Sequence, residues 1–206
     1  SIDKISDGNI ASLLSMVNTA AVNIENVELY EKTKILARYD SLTGLLNYRE
    51  FQRILNKEVK RAKRYGHSLT MIMLDIDYFK NYNDYNGHPQ GDKVLKKIGK
   101  VILNSIRQLD IGFRYGGEEF ALLLLETEAD AAFKIAERLR RNLAGIGFIG
   151  QEKQPNGNLT ISLGIASFPA DAGNKDELTD RADQALYHAK HLGRNQTRLY
   201  KNNEAA

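Results

Sequence analysis

A pair of glycines between two apolar runs is the feature that most restricts the fold of this chain. Gly116-Gly117 separates residues 111–115 from residues 120–125. Glycine reaches positive φ without a Cβ clash, so the pair predicts a two-residue hairpin loop between antiparallel strands. Glu118 and Glu119 follow at once, which predicts two carboxylates at a hairpin tip that is open to a bulky ligand.

A second pair of acids closes another apolar run. Residues 69–74 are apolar apart from Thr70, which is typical of a strand buried on both faces, and Asp75 and Asp77 follow. These two acids share a strand face, because side chains repeat every two residues. If this strand lies beside the hairpin, Asp75 lies near Glu118. Clustered acids are costly to bury without a cation, so the pattern predicts a divalent-cation site. Each acid alone would fit a strand end that simply exposes charge.

The composition excludes several classes of function. The chain has 206 residues, no cysteine and a formal net charge of +3. Disulfides, thiolate catalysis and Cys-based zinc sites are therefore excluded. There is no long Lys/Arg block and no apolar run of about 18 residues, so we predict neither a DNA or RNA interface nor a membrane segment. No signal peptide is visible, and we expect a soluble, cytoplasmic protein.

A long helix is predicted over residues 8–39. Its apolar side chains follow the four-three spacing of a heptad seam: Ile10, Leu14, Val17, Ala21 and Ile24. The helix either packs on its own domain or forms a parallel dimer stalk, and we favour the stalk because so long a seam needs a partner to cover it. Asp40 to Gly44 then break the helix. We therefore divide the chain into a coiled-coil stalk, 1–39, and a globular domain, 40–206.

The order of elements in the globular part predicts an α+β fold with a ferredoxin-like split βαβ core. A mainly antiparallel sheet is expected, with helices covering one of its faces. Strands are predicted at 69–74, 111–115, 120–125, 159–166 and 197–200, and helices at 48–65, 90–108, 131–143 and 179–191.

A loop is predicted over residues 78–92, which are rich in Asn, Gly and Asp. Backbone N–H groups of such a loop can cradle phosphates, and Lys80 can neutralise them. Asn83 and Asp92 offer polar groups for a purine edge, since a carboxylate can accept from guanine N1–H and N2–H together. On composition alone, an ordinary surface loop with a helix cap at Asp92 is the favoured interpretation.

Six motifs, in order over residues 40–200, resemble those of the diguanylate cyclase family, the GGDEF domains. They are Asp-Ser-Leu-Thr-Gly-Leu-Leu-Asn (40–47), Leu-Asp-Ile-Asp-Tyr-Phe-Lys (74–80), Asn83-Asp84, Gly-His-Pro-Gln-Gly-Asp (87–92), Arg-Tyr-Gly-Gly-Glu-Glu-Phe (114–120) and Tyr187-His-Ala-Lys190 with Gly193-Arg194-Asn195. The departures are small. Tyr48 stands where the family commonly has arginine, and Tyr78 stands where Phe or His is more usual.

The resemblance implies condensation of two GTP into cyclic di-GMP with release of two pyrophosphates. It implies a Mg²⁺ site, with Mn²⁺ possible, at Asp75, the Ile76 carbonyl, Glu118 and Glu119. Glu118 would also take the proton of the 3′-OH. The implied guanine ligands are Asn83 and Asp92, and the implied phosphate ligands are Lys80, Lys190, Arg194 and the amides of Tyr78 and Phe79.

The resemblance also implies a homodimer. Each domain would bind one GTP, so two sites must face each other, and the N-terminal helix would hold them together. Arg107 and Asp110 resemble the family's Arg-x-x-Asp product-inhibition site, to which Arg138 would add a second arginine. A helix-end ion pair between Arg107 and Asp110 is the plainer alternative. Residues 10–39 also resemble the last helix of a GAF-type sensory domain.

Three alternative functions fit parts of the sequence. A catalytically inactive GGDEF domain would serve as a cyclic di-GMP receptor, although the intact Gly-Gly-Glu-Glu-Phe turn argues against it. A cyclase that makes a mixed GMP–AMP ring would need to accept adenine as well as guanine, whereas Asp92 favours guanine. A coiled-coil scaffold would leave the clustered acids unexplained.

Overall fold

The structure is a computed structural model that describes residues 7–201, and for parts of the first helix it describes the backbone alone. The chain forms two compact units, Ser1–Arg38 and Tyr39–Ala206. Within the described range, no helix combines the length and apolar character needed to cross a membrane.

The first unit is one helix, α1 (Asp7–Arg38), close to the predicted bounds. Three side chains of the heptad seam, Leu14, Val17 and Ile24, are 58%, 62% and 62% exposed. Ala21 is also exposed, and the side chain of Ile10 lies outside the described part. An apolar seam this exposed is a surface that a second helix would bury.

The second unit is built on a five-stranded sheet with the strand order β2-β3-β1-β4-β5. All neighbouring strands are antiparallel except β4 and β5, which are parallel, so the mainly antiparallel sheet and the α+β class are confirmed. The strands are β1 (Leu69–Ile76), β2 (Ile111–Arg114), β3 (Glu119–Leu125), β4 (Ile161–Phe168) and β5 (Thr197–Leu199).

Five helices cover both faces of the sheet, so the prediction that helices cover one face is wrong. Every residue of β1 is buried, which requires apolar partners on each side. Ile72 and Leu74 belong to one core cluster, and Met71 and Met73 belong to the other. The helices are α2 (Tyr48–Tyr65), α3 (Phe79–Asn86), α4 (His88–Ser105), α5 (Ala129–Ala144) and α6 (Lys175–His191).

The prediction of a loop over residues 78–92 is wrong for most of that segment. Residues 79–86 form α3, and α4 already begins at His88, so Asp92 lies inside a helix and is not its cap. Gly87, with φ of 79°, separates the two helices. Phe79 and Tyr82 are three residues apart and both buried, and this core contact stabilises a helix of low intrinsic propensity.

The Gly-Gly hairpin exists, but its turn is not the predicted two-residue loop. The strands end at Arg114 and resume at Glu119, and the amides of Tyr115 and Gly116 both donate to the Glu119 carbonyl, at 2.8 and 3.1 Å. Neither glycine has positive φ. A Cβ at Gly116 would lie 2.6 Å from Glu119 Oε2, so a larger residue there would displace the end of the Glu119 side chain.

Candidate active site

The ends of β1 and β3 bring the predicted carboxylates to one edge of the sheet. In the antiparallel register Asp75 lies opposite Glu119, and the Ile76 amide approaches the Glu118 carbonyl at 3.4 Å. The expectation that β1 lies beside the hairpin is confirmed. Asp75 and Glu118 thus come from segments more than forty residues apart in sequence and meet at adjoining strand ends.

Asp75 is a buried acid with a cation beside it. Its side chain is paired with Lys190, whose Nζ lies 2.8 Å from Oδ2. Burial raises the pKa of Asp75 to about 6, although the Lys190 hydrogen bond and charge lower it; Glu118 and Glu119 raise it further. Burial also raises the pKa of Glu118, which Lys190 lowers and Glu119 raises. The site therefore holds more negative charge than one lysine balances.

The carboxylates do not form a preorganised metal-binding site. Across the part of the chain that the structure describes, no group of three or more His, Cys, Asp or Glu side chains is placed to hold a metal ion. The donors nevertheless suit a hard divalent cation, since three carboxylates stand near one strand end and Mg²⁺ commonly takes one or two of them together with phosphate oxygens.

Asp77 does not belong to this carboxylate group, and the prediction of a four-acid cation site is wrong on this point. Its Oδ2 accepts from Thr160 Oγ1 at 2.7 Å and from the Asn195 amide at 3.0 Å. Its Oδ1 accepts from Ser162 Oγ at 2.7 Å. These three bonds engage both oxygens of a buried side chain, so Asp77 fastens β4 and the Asn195 segment to the end of β1.

The predicted phosphate ligands lie around the start of α3. Tyr78 precedes that helix with φ of 56°, Phe79 is buried, and Lys80 is exposed in the first turn. The unpaired amides of a helix N-terminus attract anions. Lys190 and Arg194 come from the other side, at the end of α6 and just after it. The Arg194 guanidinium donates through Nη1 to the Tyr78 hydroxyl at 3.2 Å.

The predicted guanine ligand Asn83 has a buried acceptor without a partner. Among the described residues, its Oδ1 is one of three buried side-chain polar atoms with no hydrogen bond. A Cβ on Gly91 would lie 1.9 Å from that oxygen, so a larger residue there would force the Asn83 amide to move. Gly91 was not predicted as functional from the sequence, although it lies within the Gly-His-Pro-Gln-Gly-Asp motif. Asp92 follows it and is exposed.

Arg114 is a second residue whose role the sequence did not indicate. Its Nη1 donates to both carboxylate oxygens of Asp40, at 3.1 and 3.0 Å. Its Nε and Nη2 donate to the carbonyls of Gly116 and Gly117, at 3.2 and 2.8 Å. One guanidinium therefore holds the turn that carries Glu118 against the Asp40 segment.

The Asp40 carboxylate is suited to this contact. Burial alone would raise its pKa, but hydrogen bonds from the Thr43 side chain and amide and the charge of Arg114 outweigh burial and hold the pKa below its usual value. Asp40 is therefore ionised throughout the physiological range, and its pair with Arg114 persists there.

The predicted inhibitory residues lie close together at the end of α4. The Asp110 carboxylate accepts from the backbone amide of Arg107 at 3.0 Å, so the carboxylate caps a turn here. Arg138 donates from Nη2 to the Ser105 carbonyl at 2.7 Å, which places α5 beside the same turn. Both arginines are exposed.

The fold and the acidic residues at these strand ends indicate the class of protein. This is a mixed α+β domain in which helices flank a mainly antiparallel sheet and acidic residues gather where β1 meets β3. The chain belongs to the diguanylate cyclase GGDEF domain family, because the family described as "Diguanylate cyclase, GGDEF domain" matches residues 37–196. The resemblance noted in the sequence is thereby confirmed.

Named relatives agree with this assignment. Diguanylate cyclase A of Treponema denticola is 38% identical over 198 residues, which cover 95% of this chain and 50% of that protein. Response regulator PleD of Caulobacter vibrioides is 38% identical over 160 residues, which cover 78% of this chain and 35% of PleD. The chain therefore spans half or less of the length of these curated relatives.

Solved structures are similar to most of this chain. The coiled coil and GGDEF domain of DgcB from Caulobacter crescentus, in complex with c-di-GMP, matches with a TM-score of 0.80 at 29% identity, covering 91% of this chain and 99% of that one. The active GGEEF domain of a diguanylate cyclase from Vibrio cholerae matches with a TM-score of 0.71 at 35% identity, covering 77% and 99%.

Proposed function

We propose that this protein is a diguanylate cyclase that condenses two GTP into cyclic di-GMP and releases two pyrophosphates. The observation that carries the proposal is the buried Asp75 beside Glu118, with Lys190 as its only paired cation among the described residues. Keeping such acids close together is costly, and a divalent cation with a triphosphate offsets that cost. A domain that only bound a ligand elsewhere would have no use for them.

Asp75, Glu118, Glu119 and the Ile76 carbonyl would hold the cation, Mg²⁺ or alternatively Mn²⁺. When bound, such a cation neutralises phosphate charge and makes the 3′-OH more acidic. Glu118 is the residue that we assign as the base, because its raised pKa brings it nearer the working pH. Glu119 supports the same carboxylate group from the first position of β3.

Phosphate binding falls to residues from two sides of the cleft. Lys80 and the Tyr78 and Phe79 amides approach from α3, while Lys190 and Arg194 approach from α6. A cation held by Asp75 would compete with Lys190 for that carboxylate, and the Lys190 ammonium would then be available to a phosphate oxygen. Phosphoryl transfer requires mainly positioning and charge neutralisation, and these residues supply both.

Guanine recognition is assigned to Asn83 and Asp92. The Asn83 Oδ1 is buried without a partner, and guanine N1–H or N2–H would satisfy it. Asp92 is exposed nearby in the sequence and, as a carboxylate, accepts from the same pair of donors, which adenine lacks.

The active form that we propose is a homodimer joined through α1. Its exposed heptad seam supports this, as does the similarity to a coiled-coil GGDEF chain. Two domains held this way can present two GTP molecules to each other. The division into a stalk, 1–39, and a catalytic domain, 40–206, belongs to this proposal, and so does a cytoplasmic site of action, where GTP is available. An upstream GAF-type sensor stays a prediction.

Product inhibition is assigned to Arg107, Asp110 and Arg138. Guanidinium planes stack on guanine, and both arginines are exposed beside the Asp110 turn. A catalytically inactive receptor for cyclic di-GMP could use the same three residues, so binding there does not by itself establish catalysis.

The test is incubation of the full chain with GTP and Mg²⁺, followed by chromatography of the products. We expect cyclic di-GMP and pyrophosphate, and loss of both with a chelator or in Glu118→Gln, which keeps the shape of the side chain but cannot accept the proton. A protein that binds cyclic di-GMP but makes none from GTP would be the receptor. Undiminished product in Glu118→Gln would refute the assignment of the base.

A further inference from the structure

Two residues with left-handed backbone face each other beside the start of α3. Tyr78 has φ of 56° and Arg194 has φ of 60°, a region that side chains other than glycine rarely adopt. The Arg194 guanidinium carbon lies 4.3 Å from the centre of the Tyr78 ring. Its Nη1 also donates to the Tyr78 hydroxyl at 3.2 Å. Such conformations persist only where the surrounding structure holds them.

The backbone on each side is held in place. The Arg194 amide donates to the Ala189 carbonyl at 3.0 Å, which ties it to the end of α6. The next amide, of Asn195, donates to Asp77 Oδ2 at 3.0 Å. Because Asp77 directly precedes Tyr78, one carboxylate fixes the distance between the two strained segments. The positions of these two backbone segments therefore bring the Tyr78 and Arg194 side chains into contact.

The Tyr78 ring has little to do with the core. It is 37% exposed, whereas the next residue, Phe79, is 4% exposed and belongs to the core cluster. The α3 helix begins immediately after Tyr78, so the Arg194 guanidinium stands near a helix N-terminus, which favours anions.

We propose that the Tyr78 side chain is a positioning residue, which holds the Arg194 guanidinium beside the N-terminus of α3 for the triphosphate. The identity of the ligand rests on the proposed function. A free arginine loses considerable side-chain entropy when it binds phosphate, and a ring that orders it beforehand removes part of that cost. The hydrogen bond to Tyr78 uses one of the five guanidinium N–H donors, so the others serve phosphate oxygens.

The test is a double-mutant cycle on the full chain with Tyr78→Ala, Arg194→Ala and the double variant. Affinity is measured calorimetrically for inorganic triphosphate and for a GTP analogue with a methylene between the α- and β-phosphates, which cannot release pyrophosphate. We expect Tyr78→Ala to weaken both by about tenfold. The double variant should be no weaker than Arg194→Ala, because Tyr78 acts through Arg194. Additive losses, or tighter binding by Tyr78→Ala, would overturn the proposal.

Two further variants separate positioning from general damage. Tyr78→Phe keeps the ring under the guanidinium and should recover most of the affinity that Tyr78→Ala loses. Tyr85→Ala is the matched control, because Tyr85 is an exposed tyrosine within α3 with the Lys153 ammonium 5.9 Å from its ring centre. An equal loss in Tyr85→Ala would refute a specific role for Tyr78.

The proposed function and this inference fail separately. If the cycle shows coupling while GTP yields no cyclic di-GMP, the positioning role stands and the cyclase assignment falls. If the product forms normally while the two single losses add, the positioning role falls and the cyclase assignment stands.

Discussion

Replacing Gly91 with alanine should damage guanine binding while leaving the fold intact. A Cβ at this position would lie 1.9 Å from Asn83 Oδ1, 3.0 Å from Asn83 Cγ and 3.2 Å from Phe79 Cζ. The closest atoms are the end of a flexible side chain, so the Asn83 amide can rotate away at little cost to the fold. It then no longer presents its buried oxygen to the base.

The expected magnitudes for the fold and the site differ. Alanine gains up to about 1 kcal/mol over glycine in a helix, so the free energy of unfolding should change by less than about 1 kcal/mol. Losing a buried hydrogen bond to the base costs about 1–3 kcal/mol, which is roughly a 5- to 150-fold higher Kd for GTP. Binding of inorganic triphosphate, which carries no base, should be unchanged.

Calorimetric titration of Gly91→Ala, Asn83→Ala and the double variant checks this reasoning. The double variant should bind GTP no more weakly than Asn83→Ala. Gly145→Ala is the matched control, since Gly145 lies at the end of α5 and an added Cβ would meet only ordinary contacts, 3.5 Å or longer. Unaltered GTP affinity in Gly91→Ala would show that Asn83 does not read the base. An equal loss for inorganic triphosphate would place the damage in the phosphate site.

The remaining predictions concern charge and assembly. Because the folded-state pKa of Asp75 is raised from 3.8 to about 6, the protein should lose stability as pH rises from 4 through 6. Asp75→Asn should therefore raise the unfolding free energy at pH 7.5 by up to about 3 kcal/mol, with no gain below pH 4, in denaturant titrations. Arg114→Lys cannot reach Asp40 and both turn carbonyls together, so turnover should fall at least about tenfold, while the control Arg53→Lys, at an exposed arginine that pairs with Glu50 of its own helix, stays normal. Equal rates would refute the bridging role. Val17→Glu places charge in the seam and should convert a dimer to a monomer in sedimentation, whereas the exposed Ser12→Glu should not.

The sequence predicted those features that depend on local pattern. The apolar run before Asp75, the heptad spacing of α1 and the Gly-Gly pair predicted a buried strand, a long helix and a hairpin, and all three are present. Order along the chain then sufficed for the α+β class, because strand and helix periods are properties of short segments. The GGDEF family followed from motifs that are contiguous in sequence.

The tertiary structure alone decided what several polar residues do. Asp77 has the same two-residue spacing as a site acid, yet hydrogen bonds from β4 and Asn195 engage both of its oxygens. Arg114 reaches Asp40 across 74 positions, and no local pattern indicates that contact. Residues 79–86 read as a loop by composition but form a helix, because Phe79 and Tyr82 are buried in the core.

The physical reason is the same in each case. Periodicity specifies which face of an element is apolar, but it does not specify which strand pairs with which, or in what register. The pairing of β1 with β3 and β4 places Asp75 opposite Glu119 and Ser162 in the sheet, and the Ser162 hydroxyl donates to Asp77. This long-range register determines which acids meet each other and which meet a hydroxyl. The sequence pattern thus determined most of the elements and the family, whereas packing determined the α3 helix and which side chains share the site.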